Sequence, residues 1–88
     1  MEQLLSAIAS SYRRKILQLL RDRELSAGEV ASHFPTVTRP AISQHLSVLK
    51  SARLLHERRA GTRRLYKTRV EGLAELQTFL GPFAKRKR

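Results

Sequence analysis

The stretch TRPAISQHLSVL, residues 38–49, constrains the fold of this chain more than any other. Thr38 can cap a helix through its hydroxyl, and Pro40 suits an opening turn because the N–H it lacks would have no partner there. From that start Ile42, Leu46 and Leu49 recur at i, i+4 and i+7, so one side of the helix is apolar and has to pack on the rest of the domain. The other side presents Arg39, Ser43, Gln44, Ser47 and Lys50, with no acid and little hydrocarbon. Side chains of this length and hydrogen-bonding capacity suit base edges in a DNA major groove, although the solvated face of an ordinary amphipathic helix reads the same way. The surroundings of the stretch favour the first.

Upstream, residues 3–9 form a short apolar-faced segment with Leu4, Leu5 and Ile8, too short to hold a helix alone. Ser10 or Ser11 can cap a second helix over residues 12–20, with Ile16, Leu17, Leu19 and Leu20 as its stripe. Ser26 followed by Glu29 is a capping-box signature for a third, running to about Phe34 with Val30, Ala31 and Phe34 inward. Pro35 ends it, because the residue before a proline is pushed out of the helical region, and Thr38 starts the next helix after a brief turn. Two short helices so joined, the second with a polar outer face, have the layout of a helix-turn-helix.

After Leu49 the period changes. Residues 54–60 and 64–68 are strand candidates around a Gly61–Thr62 turn. Such a hairpin carries Arg58, Arg59, Arg63, Arg64 and Lys67, five cations that repel one another unless an anion is near, as on a wing gripping phosphates. Residues 70–80 return to helical period through Val70, Leu73, Leu76, Phe79 and Leu80, and Gly81 with Pro82 are expected to stop that helix. With Phe83, this is more hydrocarbon than one small domain needs to cover, so it is expected to pack against a second subunit.

Charge follows the same division. The chain of 88 residues has 18 Lys and Arg against 7 Asp and Glu, a net of +11. Residues 39–69 hold 9 bases and one acid, Glu57, for +8, whereas residues 1–38 net +1 and residues 70–84 net −2. The tail 85–88, KRKR, adds +4 and is expected to be a disordered source of nonspecific phosphate contacts. Charge this asymmetric implies a polyanionic partner met by one face. No cysteine is present, which excludes disulfides and thiolate metal sites. Glu2 stands where a signal peptide would be basic and serines interrupt the apolar run, so no membrane is expected and the cytoplasm is the expected location. No paired carboxylates, base-activated nucleophile or phosphate-cradling glycine loop marks an enzyme, and no cofactor is expected.

Taken together, the order resembles the ArsR family of bacterial winged-helix repressors over residues 4–80. Three stretches carry the likeness: AIASSYRRKILQLL at 7–20, TRPAISQHLSVLKSARLL at 38–55 and RRAGTRRLYKT at 58–68. The middle one matches the family's capping residue, proline, small residue, aliphatic, Ser, polar reader, His and Leu at Thr38, Pro40, Ala41, Ile42, Ser43, Gln44, His45 and Leu46. The resemblance implies a mainly α fold with a small β-hairpin, a winged helix-turn-helix of order α-α-α-α-β-β-α, forming one domain over residues 1–84 that dimerises through its terminal helices. Metal-sensing members carry a cysteine pair in a stretch like ELCVCDL, where this chain has ELSAGEV with Ser26 and Gly28 at those places. Another sensing site uses Asp and His on the terminal helix, and neither occurs beyond His56. His33, His45 and His56 read as packing or phosphate-contacting groups, so no metal is expected and the chain is similar to the metal-independent, autorepressor-like branch. Family members usually have Gly where Arg53 stands, so a left-handed Arg53 would carry roughly 1 kcal/mol of strain.

The expected activity is repression by a homodimer on a palindromic operator in double-stranded DNA. Arg39, Ser43 and Gln44 are the expected base readers, Gln44 being able to bond adenine in bidentate fashion. Thr38, Ser47, Lys50, Arg58, Arg59, Arg63, Arg64 and Lys67 are the expected backbone and wing contacts, and Leu4, Leu5, Ile8, Leu73, Leu76 and Leu80 the expected dimer interface. Two rivals use the same residues: a nonspecific nucleoid-type or RNA-binding protein, which needs no polar face at 39, 43 and 44, and an interaction module acting through the terminal helix.

Overall fold

A computed structural model describes residues 1–84; the KRKR tail lies outside the described residues. The elements are α1 (Glu2–Ile8), α2 (Ser11–Leu19), β1 (Leu25–Ser26), α3 (Ala27–Ser32), α4 (Arg39–Ser51), β2 (Leu55–Ala60), β3 (Arg63–Thr68), a 3₁₀ turn (Val70–Leu73) and α5 (Ala74–Ala84). The architecture is mainly helical with a small antiparallel hairpin, as a winged helix-turn-helix requires.

Three helices start on side-chain caps. Ser10 accepts from the Arg13 N–H. Ser26 and Glu29 close a reciprocal capping box, and Thr38 Oγ1 accepts from the Ala41 N–H at 3.3 Å. The C-terminus of α1 is closed differently, by two arginines of α2. Arg13 Nε donates to the Ala7 carbonyl at 2.6 Å and Arg14 Nη1 to the Ile8 carbonyl at 2.8 Å. Cations there complement the helix dipole and satisfy orphan carbonyls, so α1 is fixed by its neighbour although seven residues are too few to hold a helix in water.

The core joins Leu4 and Ala7 of α1, Ile16 and Leu17 of α2, Leu20, Val30 of α3, Ile42, Leu46 and Leu49 of α4, and Leu54 and Leu55 after it. β3 lies between β1 and β2. Thr68 bolts the sheet to α2: its backbone N–H donates to the Leu20 carbonyl and its buried hydroxyl to the Leu17 carbonyl at 2.7 Å. The hairpin turns on Gly61, whose φ of +66° at the first of two loop positions fits a type II′ turn. β1 has no counterpart in the sequence reading, because two residues carry no periodicity; Leu25 pairs Tyr66 and Ser26 pairs Leu65.

Two expectations about the ends of elements change. α5 does not stop at Gly81 and Pro82 but continues through Pro82 to Ala84. A proline expels its predecessor from helical geometry by crowding that residue's Cβ, and Gly81 has none. α4 ends in a Schellman motif: Leu54 N–H donates to the Leu49 carbonyl at 3.0 Å and Arg53 N–H to the Lys50 carbonyl at 2.9 Å. Leu54 accordingly belongs to the helix terminus rather than to the strand. Arg53 is left-handed, with φ 63°, the only non-glycine so placed among the described residues.

Candidate nucleic-acid interface

On α4, Ile42, Leu46 and Leu49 are buried while Arg39, Ser43, Gln44 and Ser47 stand exposed along the opposite side. The helix is thus anchored by one stripe and offers the other to solvent. Arg39 folds back across the turn, its guanidinium beside Gly28 of α3. His45 is half-buried between the two sides; its ring packs 6.1 Å from Tyr12 and its Nδ1 lies 3.3 Å from Arg13 Nη1. Burial, with Arg13 alongside, lowers its pKa, so the neutral form is favoured in the fold.

The wing differs from five unbalanced cations. Arg58 makes a bidentate pair with Glu24, at 2.7 and 2.8 Å, and Arg63 Nη2 donates to Glu29 at 2.7 Å. Arg64 Nη1 lies 3.3 Å from Glu57, which also receives Lys50 of α4. Arg59 and Lys67 form no ion pair among the described residues, although the charge of Lys67 reaches Glu24. The acids were visible in the sequence, but Glu24 and Glu29 lie 34 residues from their partners, a separation only the folded sheet closes. Each carboxyl is held below its ordinary value: Glu24 by the Arg58 hydrogen bond, Glu29 by the Ser26 backbone with Arg63 contributing, Glu57 by Lys50 and then Arg64. Exposed pairs of this kind contribute about 0–1 kcal/mol, so their main effect is to orient guanidinium groups and set the charge of the face.

The expected interface residues separate by burial into three groups. Leu4 is 6% exposed and part of this chain's own core, because Ala7 and Leu4 face the same packed side of α1. Ile8, Leu73 and Leu76 are half-buried against that core. Leu5 and Leu80 are exposed, together with Phe79, Phe83 and Val70. Phe79 and Phe83, the most exposed of these, lie 5.6 Å apart between ring centroids with their planes tilted by 48°. His56 Nε2 lies 3.8 Å from Glu71, and His33 Nδ1 sits 3.0 Å from the Glu29 carbonyl. No three His, Asp or Glu side chains gather into a metal-sized group among the described residues. No helix of the described residues is long and apolar enough to cross a membrane.

A family model described as a helix-turn-helix domain matches residues 8–58. The HTH-type transcriptional regulator Rv2034 of Mycobacterium tuberculosis is 51% identical over 77 residues, 88% of this chain and 71% of its own. The transcriptional repressor SdpR of Bacillus subtilis is 41% identical over 61 residues, 69% of this chain and 67% of its own. Among solved structures, the homodimeric winged helix-turn-helix DNA-binding domain of a possible ArsR-family regulator from Mycobacterium bovis superposes with a TM-score of 0.75 at 30% identity, covering 94% of this chain and 76% of that one. With the exposed polar face on α4 and the basic hairpin beside it, these likenesses place the chain in the ArsR family of winged helix-turn-helix transcriptional regulators.

Proposed function

We propose that this protein is a cytoplasmic, sequence-specific repressor that binds a palindromic operator as a homodimer and is not released by metal. The observation that carries the reading is the face of α4, where Arg39, Ser43, Gln44 and Ser47 are exposed over a fully buried stripe. A binder acting through charge alone would gain nothing from uncharged readers at 43 and 44, nor from acids that neutralise Arg58, Arg63 and Arg64. Exposed Leu5, Phe79, Leu80 and Phe83 supply apolar surface for a second copy, and a relative of this fold is homodimeric. Two recognition helices in such a dimer would enter successive major grooves about 34 Å apart and occlude a promoter sterically. Absent thiols at Ser26 and Gly28, and absent His and Asp beyond His56, support operation without a metal switch.

The test separates reading from gripping. Gln44→Ala should cost about 1–3 kcal/mol on the operator while leaving random DNA unchanged. Arg59→Ala, which removes a wing cation that forms no ion pair among the described residues, should weaken both DNAs alike and reduce the salt slope by about one. Equal effects of the two substitutions on the two DNAs would overturn this division.

A further inference from the structure

Glu57 is the one acid between residues 39 and 69, on the face expected to meet a polyanion, yet its side chain is only 13% exposed. It stands opposite Tyr66 in the β2–β3 ladder, in a cleft of about 210 Å³ between α4 and the sheet that Ser43, Ser47, Lys50 and Arg64 also line. Its two oxygens are divided: Oε1 takes Lys50 Nζ from the last turn of α4, and Oε2 takes Arg64 Nη1 from the wing strand. Arg64 also faces Arg59 directly across the hairpin, a like-charge pair that Glu57, its diagonal neighbour, offsets.

We infer that Glu57 is a positioning residue for DNA, spanning recognition helix and wing so that Lys50 and Arg64 are presented together while one unit of unselective charge is withdrawn. This rests on the DNA-binding reading and deepens it. Stability does not account for the arrangement, because the two cations are more than half exposed and such pairs contribute little. Two cations joined through one carboxylate are fixed relative to each other and reach phosphates in one register. Without it, each side chain would follow any phosphate within reach, which favours random DNA over the operator.

Glu57→Gln keeps the shape and removes the charge; Glu57→Asp keeps the charge but is one methylene too short to span both cations. Both are compared with wild type on operator and random DNA across a salt series. Glu57→Gln should tighten random DNA, steepen its salt slope by about one to two, and lower the operator-to-random ratio by about tenfold. Glu57→Asp should keep the wild-type slope while the ratio falls part of the way. An unchanged ratio, a parallel loss on both DNAs with unchanged slope, a Glu57→Asp slope like that of Glu57→Gln, or failure of both variants to fold would each overturn the inference. Wild-type protein that shows no preference for any DNA would instead overturn the repressor reading.

Discussion

Replacing Gly72 with alanine tests the junction that holds the recognition helix to the wing and α5. A Cβ on Gly72 would lie 2.2 Å from the Arg53 carbonyl oxygen, 3.0 Å from Leu54 Cδ2 and 3.2 Å from the Arg53 carbonyl carbon. Ordinary contact begins at 3.4 Å, so two backbone segments must part by more than an ångström, and no flexible side chain can absorb the shift. Forced backbone movement of this kind costs about 1–3 kcal/mol. Parting also strains the Arg69 N–H bond to the Leu54 carbonyl at 2.8 Å and the Arg69 Nη1 bond to the Arg53 carbonyl at 3.2 Å, each worth about 1 kcal/mol. Alanine's better helical propensity returns about 1 kcal/mol, leaving a net loss of about 2–4 kcal/mol. A domain of this size has roughly 4–13 kcal/mol in total, so the midpoint should fall by 10 °C or more. Urea unfolding followed by circular dichroism gives the value directly, with Gly61→Ala as the comparison. A Cβ on Gly61 would meet nothing within 4 Å beyond its chain neighbours, so there only the positive φ costs, about 1–2 kcal/mol. A Gly72→Ala loss below about 1 kcal/mol with unchanged slope would refute the close approach.

At Arg53 the opposite outcome is expected. Its left-handed backbone, φ 63°, costs about 1–2 kcal/mol that glycine avoids, less the extra freedom glycine gives the unfolded chain, so Arg53→Gly should stabilise by up to about 1 kcal/mol. A loss in urea unfolding would mean that the Arg53 side chain contributes more than its backbone costs. Acid should destabilise in two stages. His45 is lowered from 6.5 in the fold, so the unfolded chain binds more protons and stability falls as pH drops below 6.5; His45→Asn should flatten that limb of the stability–pH curve. Glu24, Glu29 and Glu57 are lowered from 4.5, so their contribution is present above that value and is lost as pH falls through their depressed values.

Much of this was legible because it is local. The Thr38 cap, the Ser26–Glu29 box and the stripe of Ile42, Leu46 and Leu49 each depend on residues within a turn or two of one another. The wing's position was legible from the Gly61 turn and its cations, but its charge was not. Glu24 and Glu29 neutralise Arg58 and Arg63 only after β1 joins the sheet, and β1 is too short to leave a pattern. Gly72 gave no signal because the residue it must approach, Arg53, lies nineteen positions away and is met backbone to backbone. The residues expected at a dimer interface show a third limit. Periodicity groups Leu4 with Leu5 and Ile8, and only packing reveals that Leu4 faces inward while Leu5 stays exposed.

The central claim is that the exposed side of α4 reads sequence. Its most direct test is binding of the purified protein to DNA upstream of its own gene against random DNA of equal length, across a salt series, with a genome-wide selection for bound sites alongside. The account predicts a site, upstream or recovered by the selection, preferred by a thousandfold or more near physiological salt. Equal binding to all DNA that collapses steeply with salt, with no site enriched by the selection, would contradict it and leave a charge-driven binder.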